Sequence, residues 1–170
     1  AQASGLAIDN GIACDAQMRT SDPDIFAAGD CCSFLHSLYE NRRIRLESWR
    51  SAQEQGALAA QNMLGHARTY EAVPWFWSDQ YDVNLQYAGH HTSAEQMIVR
   101  GSLASDSFLV CYVNEGRIDA ALAFNCGKDL RRVMPLIRSS VVVPASVASS
   151  TITSSGHARR NSARRRSLLM

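Results

Sequence analysis

The sequence predicts an α+β fold, in which a carboxyl-terminal antiparallel sheet is closed by one helix. A strand-and-helix segment precedes this unit and a disordered tail follows it. Three observations carry the prediction. Leu85–Gly89, Gln96–Arg100, Ser107–Val113 and Ile118–Asn125 are strand-like runs in succession, and strands joined by short links pair antiparallel. Ser48 to Leu64 repeats small and apolar residues at helical spacing. From Ser139 onward the chain is Ser, Thr, Ala and Arg without an aromatic residue, too poor in burial to offset its ordering entropy.

Taken in order, Leu6 to Asp15 reads as two short extended pieces around Asn10-Gly11. Asp22-Pro23-Asp24 is turn chemistry, because proline presets φ and aspartate bonds nearby amides. Ile25-Phe26-Ala27-Ala28, closed by Gly29-Asp30, suits a buried strand that delivers a polar residue at its carboxyl end. In the helix, Trp49, Ala52, Gly56, Ala60 and Met63 share a face and predict the packed side; Ser48 caps its start and Gly65 closes its end. Asn114-Glu115-Gly116-Arg117 is a hairpin loop, and Leu130, Val133, Met134 and Ile137 give an amphipathic helix from near Gly127. Val141-Val142-Val143 has the composition of a last short strand. The expected division is residues 1–70, 71–138 and a tail over 139–170.

The 170 residues are 46% hydrophobic and 19% charged, which suits a buried core. No apolar run approaches the roughly 20 residues of a membrane helix, and the first ten residues lack the pattern of a secretory signal. The expected compartment is therefore the cytoplasm. Five cysteines in no paired-ligand spacing argue against a disulfide scaffold or structural zinc. His90-His91 has no acidic or cysteine partner at ligand spacing, so no metal is expected. Residue 1 is Ala rather than Met, the mark expected of a trimmed or truncated end. Charge is split: nine basic and sixteen acidic residues lie up to Asp129, and eight arginines with no acid follow Leu130. The terminal arginines lack interleaved aromatics for base stacking, which argues against nucleic acid as a partner.

Three strings narrow the reading: Thr20-Ser21-Asp22-Pro23-Asp24-Ile25-Phe26-Ala27-Ala28-Gly29-Asp30, Arg45-Leu46-Glu47-Ser48-Trp49, and Val73-Pro74-Trp75-Phe76-Trp77-Ser78-Asp79-Gln80-Tyr81-Asp82. In this order they resemble the carboxyl-terminal half of FAD-dependent NAD(P)H:ferredoxin reductases, the flavoproteins that serve Rieske dioxygenases and certain cytochromes P450. The resemblance implies that residues 1–70 are the return segment of an α/β, Rossmann-like FAD-binding domain, and that 71–138 are the reductase's α+β domain. It implies a flavin-facing set of Gly29, Asp30, Glu47, Ser48, Trp49 and Trp77, with Asp30 on the ribityl chain and Trp77 at the ring. It also implies NAD(P)H as electron donor and a [2Fe–2S] ferredoxin as partner. No side chain is needed as a general acid or base for hydride transfer.

Bland readings stand beside these. Asp30 after a glycine is also a helix cap, Trp75, Phe76 and Trp77 a hydrophobic plug between domains, and Arg45 with Glu47 an exposed ion pair worth about 0–1 kcal/mol. Arg42 and Arg43 either face an acidic ferredoxin or belong to a solvated loop. No two glycines have the G-x-G spacing of a dinucleotide fingerprint. The expectation is that these 170 residues by themselves neither hold FAD tightly nor oxidise NADH. The Arg- and Ser-rich ending departs from the family pattern after residue 138, as a reading-frame shift would produce. Two other readings stay open: a non-enzymatic truncated product or interaction module, and an NADH oxidase of the apoptosis-inducing-factor type.

Overall fold

A computed structural model describes residues 1–139, residue 142 and the backbone of 151–153. After a short 3-10 turn at Gln2–Ser4 come β1 (Ile12–Ala13), β2 (Cys32–His36) and β3 (Arg42–Ile44), then α1 (Trp49–Met63). The second unit holds β4 (Trp75–Gln80), β5 (Val83–Gly89), β6 (Gln96–Gly101), β7 (Phe108–Asn114) and β8 (Arg117–Phe124), then α2 (Gly127–Ser139) and β9 (Thr151–Thr153).

The first sheet runs β1-β2-β3, with β1 and β2 parallel and β2 and β3 antiparallel. The turn at Asn10-Gly11 forms as expected, with both residues at positive φ. Ile25–Ala28 does not form a strand. Phe26 makes only an isolated bridge to Arg19, because the Asp22-Pro23 turn folds this segment back on residues 18–20. The strand follows the glycine instead: Cys32–His36 is nearly all buried, so Asp30 stands at a strand's entrance rather than its exit.

The α1 helix has the predicted ends. Ser48 is extended and its hydroxyl accepts from the Ser51 amide, while Gly65 takes φ +89° beyond the last turn. Its packed face differs from the prediction. Ser51, Gln55, Ala59 and Asn62 are buried, whereas Trp49 and Met63 are 69% and 60% exposed. The reason is that hydrogen bonds seat this helix: Gln55 accepts from the Gly29 amide, and Asn62 donates to the carbonyls of Gln17 and Arg68. A polar buried face is invisible to hydrophobic periodicity.

The second sheet is antiparallel, in the order β4-β5-β8-β7-β6-β9. The four strands predicted between Leu85 and Asn125 form, and so does the helix after them. Glu115 and Gly116, both at positive φ, make the two-residue hairpin turn. The edge strand β4 was not legible as a strand, since four of its six residues are exposed and it lacks strict alternation. Leu130 and Ile137 of α2 pack on Ala88, Leu109, Cys111, Val113, Ala121 and Ala123 to form one core. A second core gathers Cys14, Met18, Phe34, Ile44 and Tyr70, and Leu38 touches both. Within the predicted tail, Ser139 still belongs to α2, Thr151–Thr153 pair with β6 and Val142 bridges to Arg117; Val141, Val143 and the other tail residues fall outside the described ones.

His36 joins the two units. Its Nε2–H donates to the Ala72 carbonyl at 3.0 Å and its Nδ1 accepts from the Leu38 amide. Burial holds its pKa down, from 6.5 to about 4, and protonating Nδ1 would also break the Leu38 bond. The unfolded chain therefore binds more protons between pH 6.5 and 4. Stability from this histidine is present in full above pH 6.5 and lost as pH falls toward 4, on the order of 3 kcal/mol. Urea midpoints at pH 7 and 4.5 should show a smaller acid-induced drop for His36→Gln than for the parent; equal drops would refute the assignment.

Candidate functional site

The site is organised by the first two turns of α1. Gly29, at φ +82°, gives its amide to Gln55 Oε1 at 2.7 Å. A Cβ built there would stand 3.3 Å from the Ala52 Cβ, so glycine serves both the left-handed backbone and the close approach. Cys32 Sγ donates to the same Gln55 oxygen at 3.3 Å. Among the described residues this leaves Gln55 Nε2 as a buried donor with no partner, which an acceptor placed beside it would satisfy. Asp30, one residue on, is exposed, and among the described residues its carboxylate has no hydrogen-bond or ion-pair partner.

The helix entrance supplies the other wall. Ser48 caps Ser51 through both its amide and its hydroxyl. The amides of Trp49 and Arg50 lie in the first turn, where a helix offers no internal acceptor, and the macrodipole is positive there. Glu47 pairs with Arg45 at 2.7 Å, both side chains part-exposed, as its bland reading held. Glu47, Ser48 and Ser51 line a cavity of about 200 Å³ with Pro74, Phe76 and Tyr87.

Trp49 and Trp77 meet edge to face, with centroids 6.2 Å apart and planes at 88°. Trp77 in turn stacks on Trp75 at 4.9 Å, so the two alternate indoles of β4 form one slab on the side facing α1. Trp77 is 41% exposed, an indole surface open at the helix entrance. Trp75 is half-buried against the core that Leu130 and Ile137 form with the six-stranded sheet.

The structure thus brings Trp49 to Trp77 directly, and places Gly29 on the same helix through Ala52 and Gln55. No hydrogen bond or ion pair among the described residues ties Asp30 to this group. The sequence reading missed Gln55 because a polar side chain in mid-helix reads as solvent-facing. It also left Arg43 open to a partner; the structure turns that guanidinium inward, to the carbonyls of Cys14 and Ser33 and to Asp9. Arg42 stays exposed beside Thr92 and over Tyr39.

These features suit a flavin. There is a glycine for main-chain approach, an unpartnered carboxylate for hydroxyls, an orphaned buried donor, a positive helix entrance and exposed indoles for a planar ring.

Comparison with known proteins agrees. A model described as pyridine nucleotide-disulphide oxidoreductase matches residues 1–56, and one described as reductase C-terminal matches 75–153. The chain is 43% identical over 154 residues to the anthranilate 1,2-dioxygenase system ferredoxin–NAD(+) reductase component of Burkholderia cepacia, covering 89% of this chain and 38% of that protein. It is 44% identical over 125 residues to putidaredoxin reductase of Pseudomonas putida, covering 74% and 29%. Among solved structures, the covalent putidaredoxin reductase–putidaredoxin complex superposes with a TM-score of 0.79 at 38% identity, covering 86% of this chain and 35% of that one. The chain thus spans about two-fifths or less of these relatives.

Proposed function

The chain belongs to the ferredoxin reductases of the pyridine nucleotide-disulphide oxidoreductase family, residues 75–153 being their reductase C-terminal domain, and from that premise we propose that it is the flavin-facing, carboxyl-terminal part of an FAD-dependent NAD(P)H:ferredoxin reductase. The observation that carries the reading is the convergence on α1, where Gly29, in the bend before β2, and Trp77 of β4 reach the first two turns of one helix. Residues 1–70 complete the FAD domain, 71–138 form the reductase's carboxyl-terminal α+β domain, and 139–170 are the tail.

FAD, when bound, supplies the link between two-electron hydride chemistry and one-electron transfer. The chain's own residues bind and shield it. Asp30 accepts a hydrogen bond from a ribityl hydroxyl, and Gly29 keeps a side chain out of that approach. The free amides of Trp49 and Arg50, at the positive end of α1, stabilise negative charge at the polar edge of the ring. Ser48 holds that entrance open through its cap, and Glu47 fixes Arg45 beside it. Trp77, braced by Trp49 and Trp75, covers the ring and excludes water.

The electron acceptor is a [2Fe–2S] ferredoxin, a reading supported by the likeness to a reductase solved in complex with putidaredoxin. The setting is cytoplasmic; among the described residues no helix is long and apolar enough to cross a membrane.

The test is an in-frame fusion of this chain to the amino-terminal portion of the Burkholderia reductase that it does not span. The fusion is expected to bind FAD and to reduce ferredoxin with NADH. The 170 residues alone should quench FAD fluorescence only above about 1 μM. A fusion that folds, by circular dichroism, yet stays colourless would overturn the reading.

A further inference from the structure

We propose that the cleft between α1 and α2 binds a small aromatic carboxylate. The cleft measures about 670 Å³ and lies between Arg50 and Glu54 of α1, Trp75 of β4, and Arg131, Met134 and Arg138 of α2. Its size falls within the roughly 300–1,000 Å³ of pockets that hold small organic ligands, and its mixed apolar and cationic lining selects the chemistry.

The charges around it do not balance. The Glu54 carboxylate is already taken by Arg50 Nε at 2.8 Å and the Tyr70 hydroxyl at 2.9 Å. Asp129, the acid of α2, lies against Arg132 and Arg100. Arg131 and Arg138 are left with no hydrogen bond or ion pair among the described residues. They stand seven residues apart, two turns along one face of α2 and roughly 10 Å along its axis, and both border the cleft. Two unpaired guanidinium groups on one rim favour an anion, and their planar forks match a carboxylate's two oxygens.

The floor is apolar. Trp75 and Met134 are half-buried, packed on the core of the second unit. An indole and a polarisable thioether together suit a planar ring. The Arg50 guanidinium, 5.7 Å from the Trp75 ring centroid, holds that indole on its helix side. A ring on Trp75 and Met134 directs an attached carboxylate to the α2 arginines. The cleft shares Arg50 and Trp75 with the proposed flavin wall, but its test reads carboxylate binding in the absence of flavin, so its failure is distinguishable from failure of the reading above.

The probe is 2-naphthoate, titrated calorimetrically into the full chain. One saturable site is expected below about 1 mM. The neutral 2-naphthamide should bind about tenfold or more weakly, the loss expected for a charge-assisted pair. The double variant Arg131→Gln/Arg138→Gln, at two exposed positions, should lose a similar factor for naphthoate and nothing for the amide. The acid–amide contrast on the parent chain keeps the test decisive should the variant misfold. Equal affinity for acid and amide, no saturation, or an affinity unchanged in the folded double variant would each overturn the proposal.

Discussion

Gly89→Ala should destabilise the protein by about 3 kcal/mol or more, seen as a large fall in the urea midpoint followed by tryptophan fluorescence. Gly89 ends β5 at φ +90°, where a side chain strains the backbone. Its amide donates to the Pro74 carbonyl at 2.7 Å, which fixes the strand end against the start of β4. A Cβ added there would stand 2.7 Å from the Ala120 Cα and overlap the Asp119 carbonyl oxygen on β8. Both obstacles are backbone inside a six-stranded sheet, so neither can swing aside as a side chain could. Relief requires β5 and β8 to separate, which opens the core over Ala88 and Ala121. A loss below about 1 kcal/mol would mean that the strands do not approach this closely.

In the fusion described above, Asp30→Ala should weaken FAD binding by about ten- to a hundredfold, the worth of a hydrogen bond to a charged group. The unfolding midpoint should hardly move, because the carboxylate is exposed and has no partner among the described residues. Asp30→Asn keeps an oxygen acceptor and should fall between Ala and the parent. The contrast with Gly29 is useful: Gly29→Ala should lower both FAD affinity and stability, since its backbone is strained for any other residue and its neighbour Ala52 is near. Unchanged flavin affinity in Asp30→Ala would remove this residue from the site, and a matching loss of stability would recast it as structural.

Much of the second unit could be read in advance. Strands β5 to β8 and helix α2 are near where their patterns put them, because each has one apolar face and the turn at Glu115-Gly116 admits few alternatives. The motif strings also led to Gly29, Trp49 and Trp77, which the structure gathers at one helix. The first unit was harder. Ile25–Ala28 has the composition of a buried strand, yet Cys32–His36 takes the place beside β1. The deciding factor is the turn at Asp22-Pro23, which pairs residues 18–27 with one another instead of with a sheet ladder.

What the sequence determined by itself was local: where helices start, which residues turn, which runs are apolar on one side, and the strings that mark the family. What only the tertiary structure decided was which face of α1 goes inward and what that brings together. Its buried side is Ser51, Gln55, Ala59 and Asn62, and the amides among them gain their partners from loops far along the chain. A buried hydrogen bond depends on both ends being in place, and a linear pattern shows only one of them.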